Sequence, residues 1–282
     1  MTPTPGPDPG RDAAGAGGRG LLPWSRALPD GRGGTGAVLA HTTRAGGGWS
    51  PSPAPGAPAV GPYDGLDLAL HVGDDPVAVR AARRALAADL APRGVREVQH
   101  LQQVHGADVA VLRAERLRTA GRGDLPAVDA AVTDVPGLAL VVLVADCVPV
   151  LLADAGAGVV GVAHAGRRGA VAGTALRALE AMRDLGARDV VAVLGPSICG
   201  RCYEVPPGLR DEVAAVSPVA ATTTWDGRPA VDVAALVLEQ LSGAGARVEQ
   251  LPGCTAERAD LWSYRRDGAA SGRLAGLAWV PA

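Results

Sequence analysis

The clearest periodicity in the chain follows Asp75-Pro76, where Val79, Ala82, Leu86 and Leu90 recur three or four positions apart and predict a helix with one face on a core. Asp75 reads as its N-cap and Pro76 as part of its first turn. Residues 138–145, Leu-Ala-Leu-Val-Val-Leu-Val-Ala, have no polar interruption and match a strand in length, the pattern of a strand covered on both faces. Shorter apolar runs at 95–101, 107–112, 148–152, 159–163 and 190–194 predict further strands. A helix carrying Val171, Ala175, Leu179 and Met182 leads from Gly166 to Gly186, another lies near 232–241, and a last strand lies near 277–280. Strands and helices mix without a repeat, which predicts an α/β (α+β) fold: a single-domain layered sandwich of mixed β-sheets flanked by helices.

Two stretches fall outside that pattern. Residues 1–36 are expected to form a disordered Gly/Pro-rich tail, leaving 37–282 as one domain, because such composition buries too little apolar surface to offset its ordering entropy. Within that domain, residues 49–62 carry Pro51, Pro53, Pro55 and Pro58 and are expected to be a long surface loop.

Composition removes several kinds of chemistry. All 27 Lys+Arg residues are Arg, and the sequence has no Lys, Phe or Asn and a single Ile, Ile198. Without Lys there is no Schiff base, no pyridoxal-phosphate anchor and no P-loop. A net charge of −2 gives no broad attraction to nucleic acid. The longest apolar run meets Asp146 and Asp154 too early to span a bilayer, which takes about 20 residues. The first 20 residues lack the apolar core of a signal peptide. The expectation is therefore a cytoplasmic protein without nucleic-acid or membrane partners, whose cysteines 147, 199, 202 and 254 serve as thiols or metal ligands before disulfides.

His105, Cys147 and His164 each stand where an apolar run gives way to glycine or a turn, a position that places side chains at the mouth of a sheet. Two imidazoles and a thiolate suit zinc, and three protein ligands leave the fourth tetrahedral position open, the catalytic arrangement. The same Cys147, beside a histidine and with Asp146 to orient it, also fits a thiolate nucleophile, and a cysteine after an apolar strand is often only a small buried hydrophobe. Cys199-x-x-Cys202 supplies two ligands at most, with Cys254 or His100 as distant partners for a structural zinc; packing near a turn is its default reading. His41, His71 and His100 read as hydrogen-bonded or surface histidines. Arg44, Arg167-Arg168 and Arg265-Arg266 beside Tyr264 could hold an anion, although in a chain without Lys an arginine fills every ordinary surface cation position.

Six segments occur in an order that resembles the YfiH-type laccase-domain family: Gln103-Val104-His105-Gly106, Ala145-Asp146-Cys147 with Val148 to Leu152, His164-Ala165-Gly166-Arg167-Arg168-Gly169, Leu194-Gly195-Pro196-Ser197-Ile198, Cys202-Tyr203-Glu204-Val205, and Ser263-Tyr264-Arg265-Arg266-Asp267-Gly268. Thr42-Thr43-Arg44 and His71-Val72-Gly73-Asp74 extend the likeness, which covers about residues 38–282. The family was long labelled multicopper polyphenol oxidase and is now described as purine nucleoside phosphorylases. The resemblance implies zinc held by His105, Cys147 and His164, phosphorolysis of adenosine, inosine and methylthioadenosine, and some adenosine deamination. It also implies nucleoside and phosphate as small-molecule partners, met by Arg44, Gln103, Arg168, Tyr264 and Arg265. Arg167 stands where the family usually has Trp, Asp67 where it has Asn, and His41 where an aromatic is common; 50–60 reads as an insertion, and Ala270-Ser271 lengthens a turn. Five histidines are too few for a blue-copper site plus a histidine-rich cluster, so a laccase mechanism is rejected. Two other readings stay open: a Cys147-nucleophile amidase editing peptidoglycan precursors, and a non-enzymatic binding domain that zinc only stabilises.

Overall fold

A computed structural model describes residues 21–45, 62–114 and 127–282. The first sheet has the order β1 (Trp24–Pro29), β2 (Thr35–His41), β13 (Leu274–Trp279), β6 (Leu138–Val144), β3 (Glu97–His100). The second runs β12 (Arg247–Gln250), β9 (Val191–Leu194), β7 (Val148–Asp154), β8 (Val159–Ala165), β5 (Ala130–Thr133), β4 (Val109–Leu112). A small hairpin joins β10 (Ala221–Thr223) to β11 (Pro229–Val231). The helices are α1 (Pro76–Leu90), α2 (Arg167–Val171), α3 (Thr174–Asp184), α4 (Pro207–Val216), α5 (Val233–Gly243) and α6 (Tyr264–Asp267).

The uninterrupted apolar run of β6 is explained by the layering. Leu138, Leu140 and Val142 point between the sheets, where they meet Leu151, Val160 and Val162. Ala139, Val141 and Leu143 point the other way, into a cluster with Leu86 and Leu90 of α1. On the second sheet Val150, Leu152 and Ala163 face outward under Leu179 and Met182 of α3 and Leu236 of α5. The result is helix, sheet, sheet, helices, with every central strand buried on both faces. Gly276 lets the sheets approach where they cross: a Cβ there would lie 2.9 Å from Leu151 and from Pro149.

Asp75 caps α1 by accepting from the Val77 N–H at 2.9 Å, and Val79, Ala82, Leu86 and Leu90 are its buried residues. Three expectations need correction. The span 1–36 is not tail to its end: Leu21 and Leu22 are buried beside α1, and β1 pairs antiparallel with β2. The helix expected from Gly166 to Gly186 is two, because Gly173 adopts φ +79° between α2 and α3. His164 lies inside β8 rather than beyond its end. Residues 1–20 and, apart from Pro62, the Pro-rich stretch 49–62 lie outside the described residues. Among the described residues no helix is long and apolar enough to cross a membrane.

Candidate functional site

The site forms at one end of the sandwich, on the loops leaving β3 and β6 and on the last residues of β8. Between β6 and β7 the chain turns at Asp146, which adopts φ +83°, a left-handed conformation costing a non-glycine residue about 1–3 kcal/mol. Its surroundings hold it there. One carboxylate oxygen accepts from the Thr255 hydroxyl at 2.6 Å, the other from the Arg265 N–H at 2.6 Å, and its carbonyl accepts from the Ile198 N–H at 3.0 Å. The turn rests on Leu261, Trp262 and Leu274, with Cys147 packed against them.

His105 is also left-handed, at φ +59°. The cause is Asp129, a buried carboxylate just before β5. It accepts from three successive backbone N–H groups, those of Val104 (3.1 Å), His105 (2.9 Å) and Gly106 (2.6 Å). Such a run of amides curled around an anion is a nest. Asp129 Oδ1 is also 2.7 Å from His164 Nδ1. Burial would lower the His164 pKa, but Cys147 and Asp129 outweigh it and raise it to about 9, so the ring is held protonated. With Nδ1–H kept on Asp129, Nε2 is the atom that gives up its proton to bind a metal. Burial alone would raise the Asp129 carboxyl, but the bonds from His164 and Gly106 outweigh it and hold it below the usual range.

These two turns and β8 bring His105, Cys147 and His164 together, their donor atoms all within 4.8 Å of one another. Cys147 Sγ is 3.8 Å from His105 Nε2, and the two imidazoles meet edge to face with centroids 4.8 Å apart. Burial pushes the Cys147 thiol up, but the positive field of His164 and hydrogen bonds from both histidines bring it down to about 6. It is thus held toward the thiolate, the form that binds a metal. A tetrahedral ion with N ligands at about 2.0 Å and S at about 2.3 Å holds its donors slightly closer together than this, so a small contraction closes the trio on it. Gly166 is required by the convergence, since a Cβ there would meet His105 at 2.8 Å and Cys147 Sγ at 3.0 Å. The trio could hold a metal ion.

The trio opens into a cavity of about 650 Å³, a volume in the range of small-molecule sites. Arg168, Tyr264, Arg265 and Gln103 all line it, whereas Arg44 does not. Arg44 stacks over Trp262 at 4.2 Å and donates to the Asp64 carbonyl, so it braces the wall behind. Gln103 is committed to β6, because its amide NH₂ donates to the Leu143 carbonyl and its oxygen accepts from the Leu143 N–H, each at 2.7 Å. Three participants went unassigned in the sequence. Asp129 is buried and 24 residues from His105, and its signal is only a charge entering an apolar strand. His71 lines the cavity and is held neutral, since burial lowers its pKa and Arg273 lowers it further. Arg273 lines it too, its guanidinium turned onto the Ser271 and Gly272 carbonyls.

Behind Arg273 lies Asp67, the residue that replaces the family's Asn. Its Oδ1 accepts from the N–H groups of Ala69 and Arg273, while buried Oδ2 has no hydrogen-bond partner among the described residues. Burial, reinforced by Asp74, raises its pKa from 3.8 to about 6. Unfolding frees an ordinary aspartate, so the contribution of Asp67 to folding stability is most favourable below pH 3.8 and is lost as pH rises through about 6. Asp67→Asn is expected to remove that dependence and to stabilise the protein at neutral pH by about 2 kcal/mol. Denaturant unfolding of both proteins across this pH range checks it, and parallel pH profiles would contradict it.

The sequence model of the multi-copper polyphenol oxidoreductase laccase family matches residues 40–281. The chain belongs to this family. A purine nucleoside phosphorylase of Streptomyces coelicolor is 52% identical over 222 residues, covering 78% of this chain and 89% of that protein. One from Mycobacterium tuberculosis is 46% identical over 242 residues, covering 85% and 90%. Among solved structures, YlmD of Geobacillus stearothermophilus superimposes with a TM-score of 0.72 at 31% identity, covering 91% of this chain and 97% of its own. The Neisseria meningitidis protein NMB0706 gives 0.71 at 31%, covering 88% and 95%. The laccase family's title implies copper, yet of this member's remaining histidines His41 stacks on Trp24 and neither it, His71 nor His100 joins a donor group among the described residues.

Proposed function

We propose that the chain is a zinc-dependent purine nucleoside phosphorylase acting on adenosine and inosine, with methylthioadenosine as a further substrate and adenosine deamination as a side reaction. The observation that carries this reading is one cavity in which the His105, Cys147 and His164 donors share a wall with Arg167, Arg168, Arg265 and Arg273. The names of the relatives support it. Four free cysteines suit a reducing compartment such as the cytoplasm.

Phosphorolysis forms a bond from a phosphate oxygen to C1′ of the ribose and breaks the C1′–N9 bond. The bonding pair passes to the purine, which then takes up a proton. The arginines supply the charge that holds a phosphate dianion against the sugar. Tyr203 and Tyr264, with Ile198, Leu143 and Val233, offer aromatic and apolar surface for a purine. Neutral His71 can share a proton with a ring nitrogen or a ribose hydroxyl. Asp129 fixes the His105 loop and the His164 ring before substrate arrives. Zinc bound by His105, Cys147 and His164 would supply a Lewis acid and lower the pKa of a bound water, the chemistry deamination requires.

Purified protein incubated with adenosine or inosine is expected to release adenine or hypoxanthine together with ribose 1-phosphate only when phosphate is present. Base release that is absent, or indifferent to phosphate, overturns the reading.

A further inference from the structure

A second group of metal-ligating side chains, three of them thiols, lies outside the cavity. β9 and β12 are parallel neighbours, so the loops that follow them leave the same end of the sheet side by side. The first loop carries Cys199 and Cys202, the second Cys254 and Glu257. The four donor atoms lie within 4.8 Å of one another. They are joined already: the Cys199 N–H donates to Cys254 Sγ at 3.4 Å, and the Cys202 thiol donates to Glu257 at 3.2 Å. The Cys202 N–H donates to the Cys199 carbonyl at 3.0 Å, a turn that sets both thiols on one side. All four cysteines of the chain are free. His100, the other partner considered for the CxxC pair, does not join the group.

We propose that Cys199, Cys202, Cys254 and Glu257 bind a second zinc ion, which staples the loop after β9 to the loop after β12. Three thiols and a carboxylate complete a tetrahedron without an open position, the form of a structural site, and sulfur-rich donors select a thiophilic divalent ion over magnesium or calcium. Binding releases the thiol protons to solvent as three metal–sulfur bonds form, with no change of oxidation state. The staple acts on the neighbouring cavity through the residues flanking the ligands. Ile198 and Tyr203, one position outside Cys199 and Cys202, are walls of that cavity. Thr255, next to Cys254, donates to the Asp146 carboxylate, and Ile198 donates to the Asp146 carbonyl. The second ion thus positions the turn that presents Cys147.

The test is zinc content per chain, measured on intact protein as purified, for wild type, Cys202→Ser and His164→Ala. Each variant is expected to carry one equivalent fewer than wild type, lost from different sites. Alkylation mapped by mass spectrometry covers the case in which a variant folds poorly. In wild type, zinc is expected to shield Cys199, Cys202 and Cys254 from iodoacetamide, and a chelator to expose them. Unchanged zinc in Cys202→Ser, equal labelling with and without chelator, or a disulfide-linked peptide pair among these cysteines would each overturn the proposal. None of these outcomes depends on which substrate the neighbouring cavity takes.

Discussion

Replacing Asp129 by alanine is expected to cost on the order of 3–5 kcal/mol of folding stability and to weaken metal binding by about 10- to 100-fold. The carboxylate is fully buried and accepts from the Val104, His105 and Gly106 N–H groups and from the His164 ring. Its loss strands these donors in a dry interior, where each unsatisfied group costs about 1–3 kcal/mol. It also frees the His105 loop from the anion that rewards its left-handed turn, and leaves His164 free to rotate and to change tautomer. Asp129→Asn should fall between wild type and alanine, since one oxygen remains for His105 and His164 while an NH₂ opposes the other amides. Denaturation midpoints and competition for zinc with a coloured chelator measure the two effects. An alanine variant with the wild-type midpoint would show that the nest does not hold the site.

Cys147→Ser is expected to leave a folded protein whose trio no longer retains zinc and whose phosphorolysis falls by more than the 10- to 100-fold that follows loss of a carboxylate behind a ligating histidine. The thiol is half-buried at the edge of a small cluster, so the change of sulfur to oxygen removes little packing. What it removes is the one ligand already held toward its anion, with a pKa of about 6. The same variant separates the competing roles for this cysteine. A nucleophile would lose activity with zinc content unchanged, and a purely structural ion would take the fold with it. Circular dichroism, metal content and turnover of one preparation distinguish the three.

The sequence made His105, Cys147 and His164 visible because each stands where an apolar run gives way to glycine or a turn, and for two of these turns that pattern reflects a physical need. Gly166 leaves room for the other two donors, and Gly106 completes the amide nest. Asp129 also interrupts an apolar run, between Val128 and Ala130, but it stands beside no glycine, and only the pairing of β5 with β8 brings it to His164. Arg44 and Gln103 were legible as motif members but not as supports, since their backbone partners, Asp64 and Leu143, come from elsewhere in the chain. The central strands and α1 were plain from periodicity. β1 was not, because its Trp-Ser-Arg-Ala-Leu-Pro run is bounded by prolines and takes its place from β2 rather than from its own apolar content. The likeness between Cys199-x-x-Cys202 and a metal knuckle could not be weighed without Cys254, 52 residues further on, which the parallel pairing of β9 and β12 delivers.

The central claim is that the His105, Cys147 and His164 trio binds zinc and that phosphorolysis depends on it. Zinc content and phosphate-dependent release of hypoxanthine from inosine, measured on the same preparations of wild type and His164→Ala, test it most directly. Phosphate-dependent release by wild type, together with loss of one zinc equivalent and of nearly all turnover in a folded variant, is the expected result. A folded His164→Ala protein that keeps wild-type turnover, or its full zinc, would contradict the claim.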